Sequence, residues 1–389
     1  MVTLLSRLFI KDYQSYGAPR VRIAYGILCG TVGIVFNVLL FAGKFLAGSL
    51  SGSIAITADA FNNLSDAGSS LVSMVGFRLS GQKADSEHPF GHGRIEYIAG
   101  LIVSMIIALM GVELLKSSVD KILHPTASVF SYLTVGILAA SILVKLYMFF
   151  YNRSIGKRIA SATMGATALD SLSDVAATSV VLLCTLVDKW TGLHVDGYAG
   201  VAVALFILYS GFQAAKETVS PLLGEPPDKA YVEQIEQLVL AEPDIIGVHD
   251  LVVHDYGPGR VMVTLHAEVP ADGNLLHLHD SVDNVEKRLR GLLGCQAVIH
   301  MDPVVTDDAE TNRMRETVGA MVREIDPSLT IHDFRMVVGP THTNLVFDVV
   351  VPYGVKQSDE EVRRSIYDRV SRMEGNYFAV IDVDKSSVQ

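Results

Sequence analysis

Hydrophobic and polar positions follow two different patterns along this chain, and the change falls near residue 224. Before it, six stretches are apolar over lengths that can cross a bilayer, which takes about 20 mostly apolar residues. They cover 24–47, 53–79, 95–118, 129–151, 162–187 and 197–219. GEPPD (224–228) then interrupts the pattern, and soluble spacings begin. DKAYVEQIEQLVLAE (228–242) has the period of an amphipathic helix. VHDLVVHDYG and RVMVTLHAEVP alternate with period two around a GPG turn, as paired strands do. HLHDSVDNVEKRLRGLLG is helical again, and CQAVIHMDP reads as a last strand. The predicted order, α-β-β-α-β, is that of a small α+β sandwich.

That block recurs. IHDFRMVVGPTHTNLVFDVVVP (331–352) lines up with VHDLVVHDYGPGRVMVTLHAEVP (248–270), one residue shorter, and AVIDVDK (379–385) with AVIHMDP (297–303). A helical segment separates the two blocks in each copy. Similarity at a fixed offset points to a repeated unit. The sequence therefore predicts a six-span helical membrane domain (1–223), a cytoplasmic α+β domain (224–305) and a degenerate tandem copy of it (306–389).

Charge sharpens this division. Of 389 residues, 50% are hydrophobic and 19% charged, below the ~25% of soluble chains. Residues 1–223 hold 13 Asp and Glu against 16 Lys and Arg, whereas 224–389 hold 29 against 15. An acidic second half disfavours nucleic acid, whose phosphates need clustered cations. Arg7, Lys11, Arg20, Arg22, Arg78, Lys83, Arg94, Arg153, Lys157 and Arg158 fall on one side of the spans; Lys116, Lys121 and Lys189 fall on the other. The excess marks the cytoplasmic side, so both termini are expected there. Lys44 and Lys145 lie inside spans, where their stems are expected to snorkel towards an interface. The first 22 residues lack the apolar core and cleavage site of a secretory leader. Three separated cysteines suggest neither a disulfide framework nor a thiolate zinc cage. With no organelle signal visible, a bacterial cell membrane is the expected location.

Ionisable groups inside apolar spans are costly and mark function. Span two contains ADAFNNLSD and span five ALDSLSD. Asn62 with Asp66, and Asp170 with Asp174, are spaced i, i+4, which stacks each pair on one helix face. Two such faces make a cage of one amide and three carboxylates, which a divalent cation would neutralise. The bland alternative is a cluster of protonated, hydrogen-bonded acids. Oxygen-only donors suit Mn²⁺, Mg²⁺ or Ca²⁺ better than Zn²⁺, with Fe²⁺ and Co²⁺ still open. Asp59, one turn before Asn62, reads as a proton-path or helix-positioning residue. In the loop ADSEHPFGHGRIE, Asp85, His88 and His92 have metal-ligand character; helix capping and loop packing explain them equally well. Six of twelve histidines fall within 249–300, and His249, His266, His279, His300 and Asp302 form a plausible cytoplasmic site. The matching positions of the second copy are His332, Asp348, Asp382 and Asp384; a harder-ion site is possible there, but a structural copy without metal is the preferred reading.

These motifs, in this order over about residues 10–305, resemble the cation diffusion facilitator family. The resemblance implies a homodimeric, Y-shaped secondary transporter that exports divalent metal in exchange for protons, with ferredoxin-like cytoplasmic domains meeting below the membrane. It implies a transport site at Asn62, Asp66, Asp170 and Asp174, a loop site at Asp85, His88 and His92, and an interprotomer site at His249, His266, His279, His300 and Asp302. Zinc-type members carry His or Asp at the position of Asn62 and His at that of Asp170, so the set here resembles the manganese-type branch. Mn²⁺ is the expected transported and regulatory ion, with Fe²⁺ or Zn²⁺ as alternatives and no prosthetic group. In some members the position of Arg94 pairs with an acid near the end of span six, a region that here reads PLLGEPPD. Two other classes compete with this reading: an intramembrane hydrolase, disfavoured because no HExxH or GxSxG occurs, and a metal-sensing membrane receptor, whose membrane carboxylates would be structural.

Overall fold

An apolar segment in lipid satisfies its backbone amides within itself by coiling into a helix, and the long apolar segments of the first half are helices where the structure describes them. The computed structural model describes residues 1–51, 54–124, 132–191, 196–305, 308–339 and 341–385. It divides into two units, Met1–Glu225 with Tyr256–Arg260, and Pro226–Asp255 with Val261–Gln389.

The first unit contains α1 (Val2–Phe9), α2 (Pro19–Ser51), α3 (Ile54–Ser80), α4 (Ile95–Leu123), α5 (Tyr132–Arg158), α6 (Ala162–Thr191) and α7 (Asp196–Leu223). Among the described residues, α2, α4, α5, α6 and α7 are long and apolar enough to cross a membrane. α3, with 27 residues, is long enough but is not one of these five; Asn62, Asn63, Ser65, Asp66 and four further serines dilute its apolar character. The start of the fourth expected span, up to residue 131, lies outside the described residues.

Small and hydroxyl residues bring these helices together, as in membrane bundles generally. A Cβ on Gly76 of α3 would lie 2.3 Å from the Ala99 Cβ of α4. Ser73 of α3 and Thr167 of α6 share a hydrogen bond of 2.9 Å, and the Asn37 amide of α2 donates to Ser70 of α3 at 3.4 Å. Thr163 at the start of α6 donates to the Glu96 carbonyl of α4 at 2.6 Å. Near the same helix ends, the Arg22 guanidinium grips the Glu96 carboxylate with both terminal nitrogens. Its remaining donors reach the carbonyls of Ile159 (2.6 Å) and Ala160 (3.0 Å), and Ser161 donates to Glu96 at 2.7 Å. One buried ion pair thus ties α2 and α4 to the α5–α6 turn.

The second unit contains α8 (Lys229–Leu240), β1 (Gly247–Asp255), β2 (Val261–Pro270), α9 (Leu275–Leu293) and β3 (Gln296–Val304), and then α10 (Ala309–Arg323), β4 (Thr330–Val338), β5 (Thr343–Val351), α11 (Asp359–Val370) and β6 (Tyr377–Lys385). Each half has a three-stranded sheet, ordered β1-β2-β3 and β4-β5-β6, whose first pair is antiparallel and second parallel. The halves have separate cores, around Ile235, Leu265 and Leu289 in one and Phe347, Val362 and Ile366 in the other. Their hairpins share an irregularity: register slips after His249 and after His332, and the next residue, Asp250 or Asp333, has φ +51°. Aspartate tolerates this left-handed conformation better than most residues.

Candidate metal centres

Of the four residues in the i, i+4 pairs of α3 and α6, the structure brings three side chains together. One carboxylate oxygen each from Asp66, Asp170 and Asp174 lies within 4.8 Å of the other two. Asp66 and Asp170 are only 1% and 4% exposed. Asn62 lines the same cavity, of about 290 Å³, but is exposed. Its neighbour Asn63 is buried and donates to Asp66 Oδ2 at 3.2 Å. The side chain of Asp59 lies outside the described residues.

Lys145 departs from its expected snorkelling. Its side chain is 3% exposed, and Nζ lies 2.7 Å from Asp66 Oδ2 and 2.5 Å from Asp174 Oδ2. α5 passes beside the acid cluster, and the attraction of two carboxylates outweighs the pull of an aqueous interface. Buried Lys44 lines the same cavity. The lining carries Asp66, Asp170, Asp174 and Glu113 against Lys44 and Lys145, a formal excess of two negative charges. Oδ1 of Asp66, Oδ1 of Asp170 and Oγ of Ser173 are buried with no hydrogen-bond donor. Orphaned oxygens around uncompensated charge suit a divalent cation, since desolvated anions without counter-charge are strongly unfavourable.

The loop between α3 and α4 also gathers its expected ligands. Asp85, His88 and His92 each offer an atom within 4.8 Å of the others, and the two rings lie 4.6 Å apart. Asp85 Oδ1 accepts from the backbone amides of His88 (2.7 Å) and Glu87 (3.0 Å), a turn within the loop and not a helix cap, since α3 ends at Ser80 and α4 begins at Ile95. The His88 amide leads in holding this carboxyl below its usual range. His92 Nδ1 faces the Lys83 carbonyl at 3.2 Å. A carbonyl only accepts, so the tautomer protonated on Nδ1 suits this contact, and Nε2 faces Asp85 Oδ2 at 3.4 Å. Arg94, the last residue before α4, lays its guanidinium over the Tyr256 ring of the same unit, 4.7 Å from the centroid.

In the first sheet, cross-strand register places His249, His266 and His300 in one row, with Asp302 two residues beyond His300 on the same face. Asp302 Oδ2 is 2.9 Å from His266 Nδ1 and 3.2 Å from His249 Nε2, and its Oδ1 is 3.2 Å from His300 Nε2. His279 does not join them. α9 buries Leu278, Val282, Val285 and Leu289 against the sheet, which leaves His279 exposed on a different face.

The second sheet repeats the row as His332, Asp348 and Asp382, with Asp384 where Asp302 stands. Asp382 is exposed, but His332, Asp348 and Asp384 converge within 4.8 Å. Burial raises the Asp348 carboxyl above its usual range, partly opposed by His332.

Two features escaped the sequence. Arg22 reads as one of many flanking cations, and its pairing with Glu96 depends on three distant helix ends. The signal available for Lys145 was its position inside an apolar span, which snorkelling also explains.

A bundle of membrane helices around a carboxylate cluster, continued by an α+β domain with its own ligand row, defines a polytopic membrane protein built to handle cations. Residues 30–223 match the cation efflux transmembrane domain, and 227–304 match the cytoplasmic domain of cation efflux proteins. An uncharacterised transporter of Methanocaldococcus jannaschii is 32% identical over 70% of this chain and 96% of its own length. The cation-efflux pump FieF of Salmonella agona is 30% identical over 67% of this chain and 87% of its own, as is that of Salmonella typhi. The chain belongs to the cation efflux, or cation diffusion facilitator, family. It is a multi-pass cell-membrane transporter for cation efflux, and not an enzyme. α10 to β6 lie beyond both matched ranges.

Proposed function

We propose that the chain exports divalent metal, chiefly Mn²⁺, from the cytoplasm in exchange for protons, by alternating access around Asn62, Asp66, Asp170 and Asp174. The observation that carries this reading is the convergence of three carboxylates from α3 and α6 with oxygen and ammonium neighbours and, among the described residues lining the cavity, neither imidazole nor thiolate. Hard oxygen donors favour Mn²⁺ over Zn²⁺ in geometry and ligand type. In this reading α3 is the sixth span, its polar residues being the cost of carrying half the site.

Facing the cytoplasm, the deprotonated carboxylates take the ion, and Lys145 yields the position its ammonium holds between Asp66 and Asp174. Facing outwards, protons displace the ion, because carboxylates bind metal only when deprotonated. Asp85, His88 and His92 form a loop site. His249, His266, His300 and Asp302 form a cytoplasmic site whose occupancy selects transport-competent conformations. The functional unit is a homodimer, and the second α+β half is a tandem duplicate of the first, supported by matching element order, register and hairpin irregularity.

The test is ion flux in proteoliposomes under an imposed pH gradient, comparing Mn²⁺, Fe²⁺ and Zn²⁺. Mn²⁺ flux coupled to proton movement, abolished in Asp174→Ala, is expected. Zn²⁺ flux without Mn²⁺ flux would overturn the selectivity; metal flux indifferent to the pH gradient would overturn the coupling.

A further inference from the structure

The second α+β half retains more than a fold. His332 is 9% exposed, and neither of its ring nitrogens has a hydrogen-bond partner. A buried imidazole without a partner is unfavourable in any protonation state unless something fills its lone pair or neutralises its charge. Its Nε2 is flanked by Asp384 Oδ2 at 3.4 Å and by Asp250 Oδ1 at 3.7 Å. Asp348 faces it across the β4–β5 pair. The second of those carboxylates comes from the first half of the unit. The His332 ring also stacks on His249 with centroids 4.1 Å apart and planes at 27°.

His249 and His332 occupy equivalent positions in the two hairpins, so like meets like across the seam. That is the arrangement of an isologous contact, here formed within one chain. The unusual backbone at Asp250 has a consequence at this seam. Its left-handed turn brings the carboxylate to the partner half, whereas the equivalent Asp333 bonds Arg335 at 2.7 Å.

We propose that the second half binds its own divalent cation on His332, Asp348 and Asp384, and that Asp250 of the first half completes the site across the seam. It would hold one imidazole and three carboxylates. The group in the first half, His249, His266 and Asp302, has two imidazoles and one carboxylate. The seam site is therefore the harder of the two; its single imidazole favours Mn²⁺ or Fe²⁺ over Mg²⁺ or Ca²⁺, and its carboxylates disfavour Cu²⁺ and soft ions. Binding there would tie the two halves together, making their contact depend on cytoplasmic metal. The inference rests on metal binding rather than flux, so it stands or falls apart from the transport reading.

The experiment counts Mn²⁺ ions bound per full-length chain in detergent micelles, by elemental analysis after equilibrium dialysis. His332→Ala and the near-isosteric Asp384→Asn are each expected to hold one ion fewer than the native chain. Asp250→Asn, which removes one of the three carboxylates, is expected to weaken that ion by at least about 10- to 100-fold, the effect of losing even an outer-shell partner at a metal site. His266→Ala should remove the first-half ion and leave this one. Melting profiles in chelator establish that each variant is folded, and Asp384→Asn carries the test should His332→Ala unfold.

Native stoichiometry in both folded His332→Ala and Asp384→Asn would overturn the site and reduce the cluster to imidazole–carboxylate ion pairs. If His266→Ala still lost its ion, the first-half reading would survive that failure. Loss of the ion in His332→Ala with undiminished affinity in Asp250→Asn would overturn the completion across the seam.

Discussion

Lys145 places its ammonium directly between two of the membrane site's acids. It ion-pairs with two carboxylates that the proposed cation needs, so lysine and metal compete for the same oxygens. Removing one partner of a buried pair typically costs about 3–5 kcal/mol, because the other charge is left uncompensated. Lys145→Met should therefore lower stability in chelator by that order, seen as a lower melting midpoint, and added Mn²⁺ should restore more stability than it adds to the native protein. Melting with and without Mn²⁺ checks this; a variant as stable as native in chelator would show that the ammonium does not hold the acids. Asp66, Asp170 and Asp174 could be read from sequence because an i, i+4 spacing is a local fact. Lys145 could not be placed, because its partners lie 79 and 29 positions away on other helices, and an isolated lysine in an apolar stretch is compatible with snorkelling. Asn63 was hidden differently: adjacent to Asn62, it differs only in the direction its side chain takes from the helix.

Helix α3 is held where it is by close approach as well as by hydrogen bonds. A methyl at Gly76 would collide with Ala99, so Gly76→Val should push α3 from α4, at a cost of about 1–3 kcal/mol from overpacking. Because α3 carries Asp66, flux should fall more than expression; reconstituted flux normalised to folded protein measures it. The Arg22–Glu96 pair fastens the starts of α2 and α4, and Glu96→Ala strands Arg22 with a charge that is 8% exposed. A loss of about 3–5 kcal/mol is expected in thermal melting, and a shift below about 1 kcal/mol would class the pair with weak surface bridges. In the soluble elements, α11 opens with a capping box between Ser358 and Glu361. Its backbone and hydroxyl contacts hold the Glu361 carboxyl below its usual range. A depressed folded pKa stabilises above the unfolded value of 4.5 and loses that contribution as pH falls through the folded value. Ser358→Ala should cost about 1 kcal/mol near neutrality and flatten the acid limb of the second half's stability profile. The element order of both halves was readable because alternation and helical period change at Gly and Pro; α1 and the parallel return of β3 and β6 were not, since neither periodicity nor composition states which edge a last strand takes.

At the scale of the whole molecule, the two α+β halves are separable in their cores but joined at their ligand rows. Ile235, Leu265 and Leu289 pack in one, Phe347, Val362 and Ile366 in the other, with no buried residue common to both clusters. A chain ending after Val305 should therefore retain a folded first half and the entire membrane bundle. It would lose His332, Asp348 and Asp384, uncovering His249 and leaving Asp250 without its cross-seam neighbour. If the second half were only ballast, such a truncation would transport as the native chain does at every metal concentration. If it is a cation-dependent latch, Mn²⁺ flux should persist, while the cytoplasmic Mn²⁺ concentration giving half-maximal rate should shift. Locking the seam with metal selects one arrangement of the halves, and a ligand can shift a population only by binding one state better than another. The measurement is the initial flux rate against free cytoplasmic-side Mn²⁺, for native, truncated and Asp384→Asn chains. The truncated chain and Asp384→Asn should shift together, because both remove the same ion. A shift in the truncated chain alone would assign the effect to the loss of the protein surface, and unchanged curves in both would separate the second half from transport altogether.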